Sequence, residues 1–278
     1  MLIVAGVVVP KQAVDASDRR IRPLAQARAL GARSARGIAR QPETWLPSLI
    51  FPLLIAGVNN SAMARAVALP GFPPVDSVLQ FLLPATIVQG VMFGAVSGGS
   101  ALALDIENGF FERLLASPVA RSAILVGRLA GGAALAMCQA VFFVVVFALF
   151  GARVEGGPAA VAVLAAMAVL VTLMIGGVTA AIGVRTGKQE SVDSTFPLVF
   201  ILLFMSSAFF PTALMSGWYQ DVAEHNPLSW MIDGARELVI YGFSWDAAFV
   251  ALAVPAVLAV FTIGLAVRQM QKRLERAR

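Results

Sequence analysis

Chemistry has few places to sit in this chain. One histidine, His225, and one cysteine, Cys138, are too few for a His/Cys metal cluster or an internal disulfide framework. An intramembrane hydrolase needs a nucleophile beside a base, and the single imidazole stands next to Asn226-Pro227, a turn sequence outside the apolar stretches. Gly183-Val-Arg-Thr-Gly187-Lys188-Gln189 is the nearest approach to a phosphate-binding loop. It has one residue too few between its glycines, and Gln where Ser or Thr would meet magnesium, so it reads as a short turn.

Two clusters of charge remain. The first is Asp105-Ile-Glu-Asn-Gly-Phe-Phe-Glu-Arg-Leu-Leu-Ala-Ser-Pro-Val-Ala-Arg121. Ile106, Phe110 or Phe111, and Leu114 recur at helical spacing, Glu107, Glu112 and Arg113 lie beside them, and Pro118 stops the helix a turn later. Such a knob suits a groove on a soluble partner whose basic rim meets the carboxylates. A solvated loop with Phe110 and Phe111 snorkelling into headgroups has the same spacing. The second cluster is Asp221, Glu224, His225, Asp233, Arg236 and Glu237, where 233, 236 and 237 fall at i, i+3 and i+4 and allow an internal ion pair. That segment reads as a structural clasp or as an outer gate.

The elements that must position these clusters are membrane helices. The chain is 59% hydrophobic and 13% charged, the composition of a membrane protein. At roughly 20 apolar residues per span, six spans are expected near 44–63, 78–104, 123–150, 158–184, 195–211 and 246–267. Of the 21 Lys and Arg residues, all but Arg65, Arg153 and Arg236 then fall on one side, which by the positive-inside rule is the cytoplasm, with both termini. The basic balance therefore reports topology and not nucleic-acid binding. Residues 213–243 are too polar to span and are long enough for two short helices dipping into the outer leaflet.

Three regions follow: a cytoplasmic N-terminal tail over 1–43, a six-span domain over 44–267, and a basic cytoplasmic tail over 268–278. The first ten residues lack the basic start and small-residue cleavage site of a signal peptide. Between Arg22 and Arg40, the residues Arg22, Arg33, Arg36 and Arg40 share one helical face opposite Leu24, Ala27, Ala35 and Ile38, which predicts an interfacial amphipathic helix. Gly31 and Gly37 weaken it and leave a flexible basic tail as the alternative. Glycine pairs Gly94/Gly98 and Gly127/Gly131 predict close helix packing. Gln89, Ser97, Gln139, Thr172, Thr179, Ser206 and Ser207 either bond between helices or line a path. With no carboxylate or basic group at midmembrane depth, an ion-coupled secondary transporter of hydrophobic compounds is the weaker reading.

The order of these features resembles one family. The run from Glu107 through Pro118 to Arg121, followed by Gly127-Arg128, and later Asn226-Pro227-Leu228-Ser229-Trp230 with Gly234-Ala-Arg236 and Tyr241-Gly242, are similar to the segments after the second span and before the last span of type-2 ABC exporter permeases, the daunorubicin-resistance permease group. The resemblance covers nearly the whole chain. It implies an all-α permease subunit of the bacterial plasma membrane, without enzymatic activity. Its coupling helix, through Glu107, Gly109, Phe111, Glu112, Arg113, Leu114, Leu115, Pro118 and Arg121, would sit in a cleft of a separate ATPase subunit. ATP and magnesium would be bound by that partner and no cofactor by this chain. Asn226, Pro227, Trp230, Asp233, Arg236 and Glu237 would belong to an external re-entrant pair. A second permease subunit, identical or a sibling, would complete the path for a drug, lipid or glycolipid.

Overall fold

A computed structural model describes residues 42–109 and 121–276. The expected interfacial helix with Arg22, Arg33, Arg36 and Arg40 lies outside them, as do Phe111, Glu112, Arg113, Leu114, Leu115 and Pro118 of the coupling segment. The described chain is helical and carries no strand: α1 (Pro42–Ala62), α2 (Val78–Glu107), α3 (Arg121–Leu149), α4 (Gly157–Thr186), α5 (Gln189–Asp193), α6 (Phe196–Phe204), α7 (Trp218–His225), α8 (Pro227–Ile240) and α9 (Trp245–Arg276), with 3-10 turns at Ala66–Ala68 and Thr212–Leu214.

Five helices among the described residues are long and apolar enough to cross a bilayer: Trp45–Ala62, Val78–Glu107, Gly127–Leu149, Gly157–Thr186 and Trp245–Arg273. The continuous span expected over 195–211 is not there. In its place is α6, nine residues long and so about 14 Å by helical rise, less than half of a ~30 Å hydrocarbon core. The reason lies in the chain on both sides. Pro197 occupies the first turn of α6 and separates it from α5, while carbonyls at the end of α6 are taken by the side chain of the residue just before α8, described below.

α4 is apolar all round and lies at the centre, packed against α2, α3 and α9. That is the pattern of a helix with no solvent face. The main core runs along α2, α3 and α4, with Phe81, Ile87, Phe143, Leu164 and Met167 fully covered. A smaller cluster of Leu102, Ile106, Ala181, Val184, Ala266 and Met270 closes one end. The tightest approaches on α2 are made at Gly90 and Gly99, beside the expected Gly94 and Gly98. Gly98 has open space around it, whereas a Cβ at Gly99 would lie 2.3 Å from Thr179 and one at Gly90 would lie 2.6 Å from the Phe143 ring. The period-four spacing therefore missed the member of the 94–99 run that makes the closest approach.

Gly90 has a second use. Pro52 inside α1 cannot donate to the carbonyl four residues earlier, and that carbonyl, Ser48 O, would be 3.0 Å from a Cβ at position 90. Glycine there lets α2 close over the freed group. The Ser48 hydroxyl accepts from Gln139 Nε2 at 2.6 Å, so α1, α2 and α3 meet at one node in which Gln139 bonds between helices.

Candidate functional site

The ends of the bundle differ in chemistry, and each gathers one of the charge clusters. At the first end, α2 stops where Asn108 caps it and Gly109 takes φ +68°, the left-handed conformation that turns a chain out of a helix. The next described residue is Arg121, which opens α3. Both flanks of this connection are tied down. Asp105 pairs with Arg128 of α3 at 2.5 Å. Glu107 Oε2 accepts from the backbone N–H of Gln189 at 3.2 Å, at the start of α5. Ser100 donates to Asp193 in a short contact. Arg273, near the end of α9, donates to the Val184 carbonyl at 3.1 Å, beside the Gly187 turn. The base of α2 is thus fastened to α3, to the α4–α5 turn and to α5. Gly109 and Glu107 are placed there; the side chain of Arg121 lies outside the described set.

At the opposite end, α7 and α8 fold over the termini of α2, α4 and α6. Asn226 carries two roles with one carboxamide. Its Oδ1 accepts from Leu228 N at 2.9 Å and caps α8, with Pro227 in the first turn where its missing N–H is harmless. Its Nδ2 donates to the carbonyls of Leu202 and Met205 at 2.8 and 2.9 Å, one in the last turn of α6 and one on the residue that follows it. This is what permits α6 to end early, because orphan carbonyls at a helix end need partners. Replacing Asn226 by Ala is expected to lower stability by ~2–3 kcal/mol, a lost cap plus two unsatisfied acceptors. Asn226→Asp keeps the cap but sets a carboxylate oxygen against the same two carbonyls, and is expected to lose at least as much. Thermal unfolding of the purified protein checks the order.

Arg236, buried to 5% exposure, is the hub of this end. Its guanidinium donates to Asp233 in a short contact, to Phe81 O at 3.2 Å, and to Ser207 O and Ala208 O at 2.9 and 3.4 Å. It stacks 3.7 Å from the centre of the Phe81 ring. Asp233 also accepts from Ser207 Oγ at 2.7 Å, and Ser229 Oγ accepts from Ser207 N at 2.9 Å. Loss of water drives the Arg236 pKa down to about 10, against the pull of Asp233, and it stays cationic at neutral pH. The Asp233 carboxyl, whose side chain is 43% exposed, is pushed up by desolvation, with Arg236 and the Ser207 hydroxyl pulling it back only in part. Glu237 is exposed and stands apart from this pair. Trp230 donates to Glu224 O at 2.7 Å, and Trp218, Trp230, Tyr241 and Trp245 all present large exposed surfaces at this end, the composition of a membrane–water boundary.

Between the two ends runs a feature that the reading of charged residues passed over. Phe196, Phe200 and Phe204 repeat every four residues along α6, with centroids 5.9 and 4.7 Å apart. Phe93 of α2 meets Phe196 and Phe200 at 4.7 and 5.8 Å, Phe51 of α1 meets Phe93 at 5.3 Å, and Phe209 continues from Phe204 at 4.8 Å. The i, i+4, i+8 spacing was visible in the sequence and reads as a helix stripe; what it faced was not. Among the described residues no three His, Cys, Asp or Glu side chains come together as a metal site.

Known membrane permeases resemble this chain over most of its length. Residues 25–240 match the family model described as "ABC-2 type transporter". The chain is 33% identical over 221 residues to the daunorubicin resistance ABC transporter permease protein of Streptomyces coeruleorubidus, covering 78% of this chain and 74% of that one. It is 24% identical over 222 residues to an inner membrane transport permease of Escherichia coli strain K12, covering 75% and 80%.

Proposed function

Since the chain belongs to the ABC-2 type transporter family and is a multi-pass membrane permease of an ABC transporter, we propose that it forms half of an exporter. It moves an amphipathic or hydrophobic substrate out of the cytoplasm or inner leaflet, using ATP and magnesium bound by a separate ATPase subunit. The observation that carries the reading is the fastening of the α2 base on both sides of the 110–120 connection, through Asp105–Arg128 and Glu107–Gln189. A push on that connection is passed at once to α3 and to the α4–α5 turn. A plain surface loop needs no such ties.

In this reading the Glu107 end faces the cytoplasm with both termini, the plasma membrane is the site of action, and residues 107–121 are the coupling segment. α5 and α6 together make the sixth crossing, interrupted at Ser194-Thr195, and α7 and α8 form the external re-entrant pair that closes it. A second permease subunit, identical or a sibling, covers the open apolar faces of α1 and α6, whose Leu54, Val58, Leu198 and Ile201 are exposed. Among the described residues the one buried charged side chain is Arg236, in α8 and outside the five candidate spans, which weighs against an ion-coupled carrier.

The test is charge reversal at the coupling segment. Glu112→Lys in a complex reconstituted with its ATPase subunit is expected to cut substrate-stimulated ATP hydrolysis about tenfold, the effect of ~1.4 kcal/mol of lost interface coupling, with membrane insertion unchanged. Full stimulation in the variant removes residues 107–121 from the coupling role.

A further inference from the structure

α9 packs on α4 and α8, and its remaining surface is open. Val257, Phe261 and Leu265 are exposed there. At 100° per residue Val257, Phe261, Gly264 and Lys272 lie within about 40° of Arg268, so one apolar stripe runs down the open face and ends in two cations one turn apart. Both cations are exposed, and among the described residues neither has an ion-pair partner. Arg273, on the same helix, instead turns inward and donates to Val184 O at 3.1 Å.

Depth places the two cations. The Trp245 ring, 80% exposed at the start of α9, belongs at a membrane–water boundary. At ~1.5 Å of rise per residue, Arg268 stands about 35 Å away, just past a hydrocarbon core of ~30 Å and level with lipid phosphates. Lys272 is about 6 Å further along, and helical side chains lean toward the N-terminus, which brings its ammonium back to the same layer. Glu275 follows beyond Lys272 on the same face, outside that layer.

Gly264 falls at ~29 Å, where the acyl chains end. It is exposed, and a Cβ there would meet nothing within 4 Å, so helix packing gives no reason for a residue that weakens a helix. What it leaves is a notch in the stripe one turn before Arg268, bounded by Phe261 and Leu265.

We propose that this face holds one anionic phospholipid. An acyl chain lies along Val257 and Phe261, the glycerol ester sits in the Gly264 notch, and Arg268 and Lys272 bracket the phosphate. Two unpaired cations favour a headgroup of net negative charge over a zwitterionic one, whose own cation offsets the phosphate. A second copy of the chain fits less well, since a two-fold axis along the membrane normal would set these cations against their own counterparts. The inference rests on the chain lying in a bilayer and not on the exporter reading.

The experiment is native mass spectrometry of the full-length chain, released from detergent micelles after titration with dioleoylphosphatidylglycerol or dioleoylphosphatidylcholine. Wild type is expected to hold one phosphatidylglycerol about tenfold tighter than phosphatidylcholine, and Arg268→Gln/Lys272→Gln to bring that ratio to about twofold or less. Gly264→Leu leaves both cations in place and is expected to weaken phosphatidylglycerol about fivefold by filling the notch. Without added lipid it melts no lower than wild type, because the position is open. Arg185→Gln/Lys188→Gln removes two other exposed cations at this end and is expected to keep the wild-type ratio. Equal affinities in wild type, a ratio that persists in Arg268→Gln/Lys272→Gln, or full binding in Gly264→Leu overturns the proposal. An equal loss in Arg185→Gln/Lys188→Gln also overturns it, since summed positive charge would then be sufficient. So does a dimer that separates when Arg268 and Lys272 are replaced, which would make the face a subunit contact. None of these measurements involves nucleotide, so failure of the exporter reading registers separately.

Discussion

Arg236→Ala is expected to be the most destabilising change at the α7–α8 end, with a loss of ~3–5 kcal/mol, the range for removing one member of a buried, hydrogen-bonded charge pair. The size follows from what is left behind. Asp233 loses its cation, the carbonyls of Phe81, Ser207 and Ala208 lose their donors, and the Phe81 face loses the guanidinium stacked on it. These groups belong to α2, α8 and the chain that follows α6, so one side chain fastens three segments far apart in sequence. Arg236→Lys keeps the charge but offers a single point in place of a planar fork, and about half of the loss is expected to remain. In the double variant Asp233→Leu/Arg236→Met the charge pair is deleted as a unit, which in many proteins is close to neutral. Here only partial recovery is expected, because the three carbonyls are still without donors. Thermal unfolding of the purified variants in detergent checks the series; a melting curve for Arg236→Ala that overlays wild type would show that the clasp is held by the apolar packing of α8 alone.

How much of this could be read beforehand depended on whether the relevant partner was near in sequence. Asp233 and Arg236 are three residues apart, so helical geometry alone put them on one face. The partners of Arg236 in α2 and after α6 are 155 and 29 residues away, and nothing in residue types announces them. The five long helices were legible because hydropathy over an 18-residue window is a local property. The break at α6 was not, since 196–211 is as apolar as a continuous span. What ends the helix is Asn226, which read as part of a turn sequence and not as the cap of α8 or as the donor to the carbonyls of Leu202 and Met205. Gln139 and Gln89 looked alike as isolated polar residues in apolar runs. Only the packed bundle separates a bond between helices from a carboxamide facing a cleft.

The same limit applies to the glycines, where the largest remaining effect is expected. A Cβ at Gly99 would meet Thr179 Cβ and Oγ1 at 2.3 Å, and one at Gly177 would meet Thr262 Oγ1 at 2.4 Å and the Thr262 backbone carbon at 2.8 Å. Both distances are far inside van der Waals contact, so each alanine must push two core helices apart, α2 from α4 in the first case and α4 from α9 in the second. Overpacking of this kind typically costs ~1–3 kcal/mol, and the upper part of that range is expected for Gly99→Ala and Gly177→Ala, because small residues are what let helix backbones approach in lipid. The nature of the colliding atoms separates the two. At Gly99 the nearest atoms belong to the Thr179 side chain and the backbone stands off at 3.3 Å, so the swap Gly99→Ala/Thr179→Gly relieves the clash; about half of the lost stability is expected to return, the rest being the price of a glycine inside α4 and of the Thr179 hydroxyl bond to Ile175 O. At Gly177 the Thr262 backbone itself is in the way, and Gly177→Ala/Thr262→Gly is expected to recover nothing. Melting temperatures of the two single and two double variants, measured in one detergent, decide the matter; equal rescue at both positions would mean that α9 can slide along α4 in a way that α2 cannot.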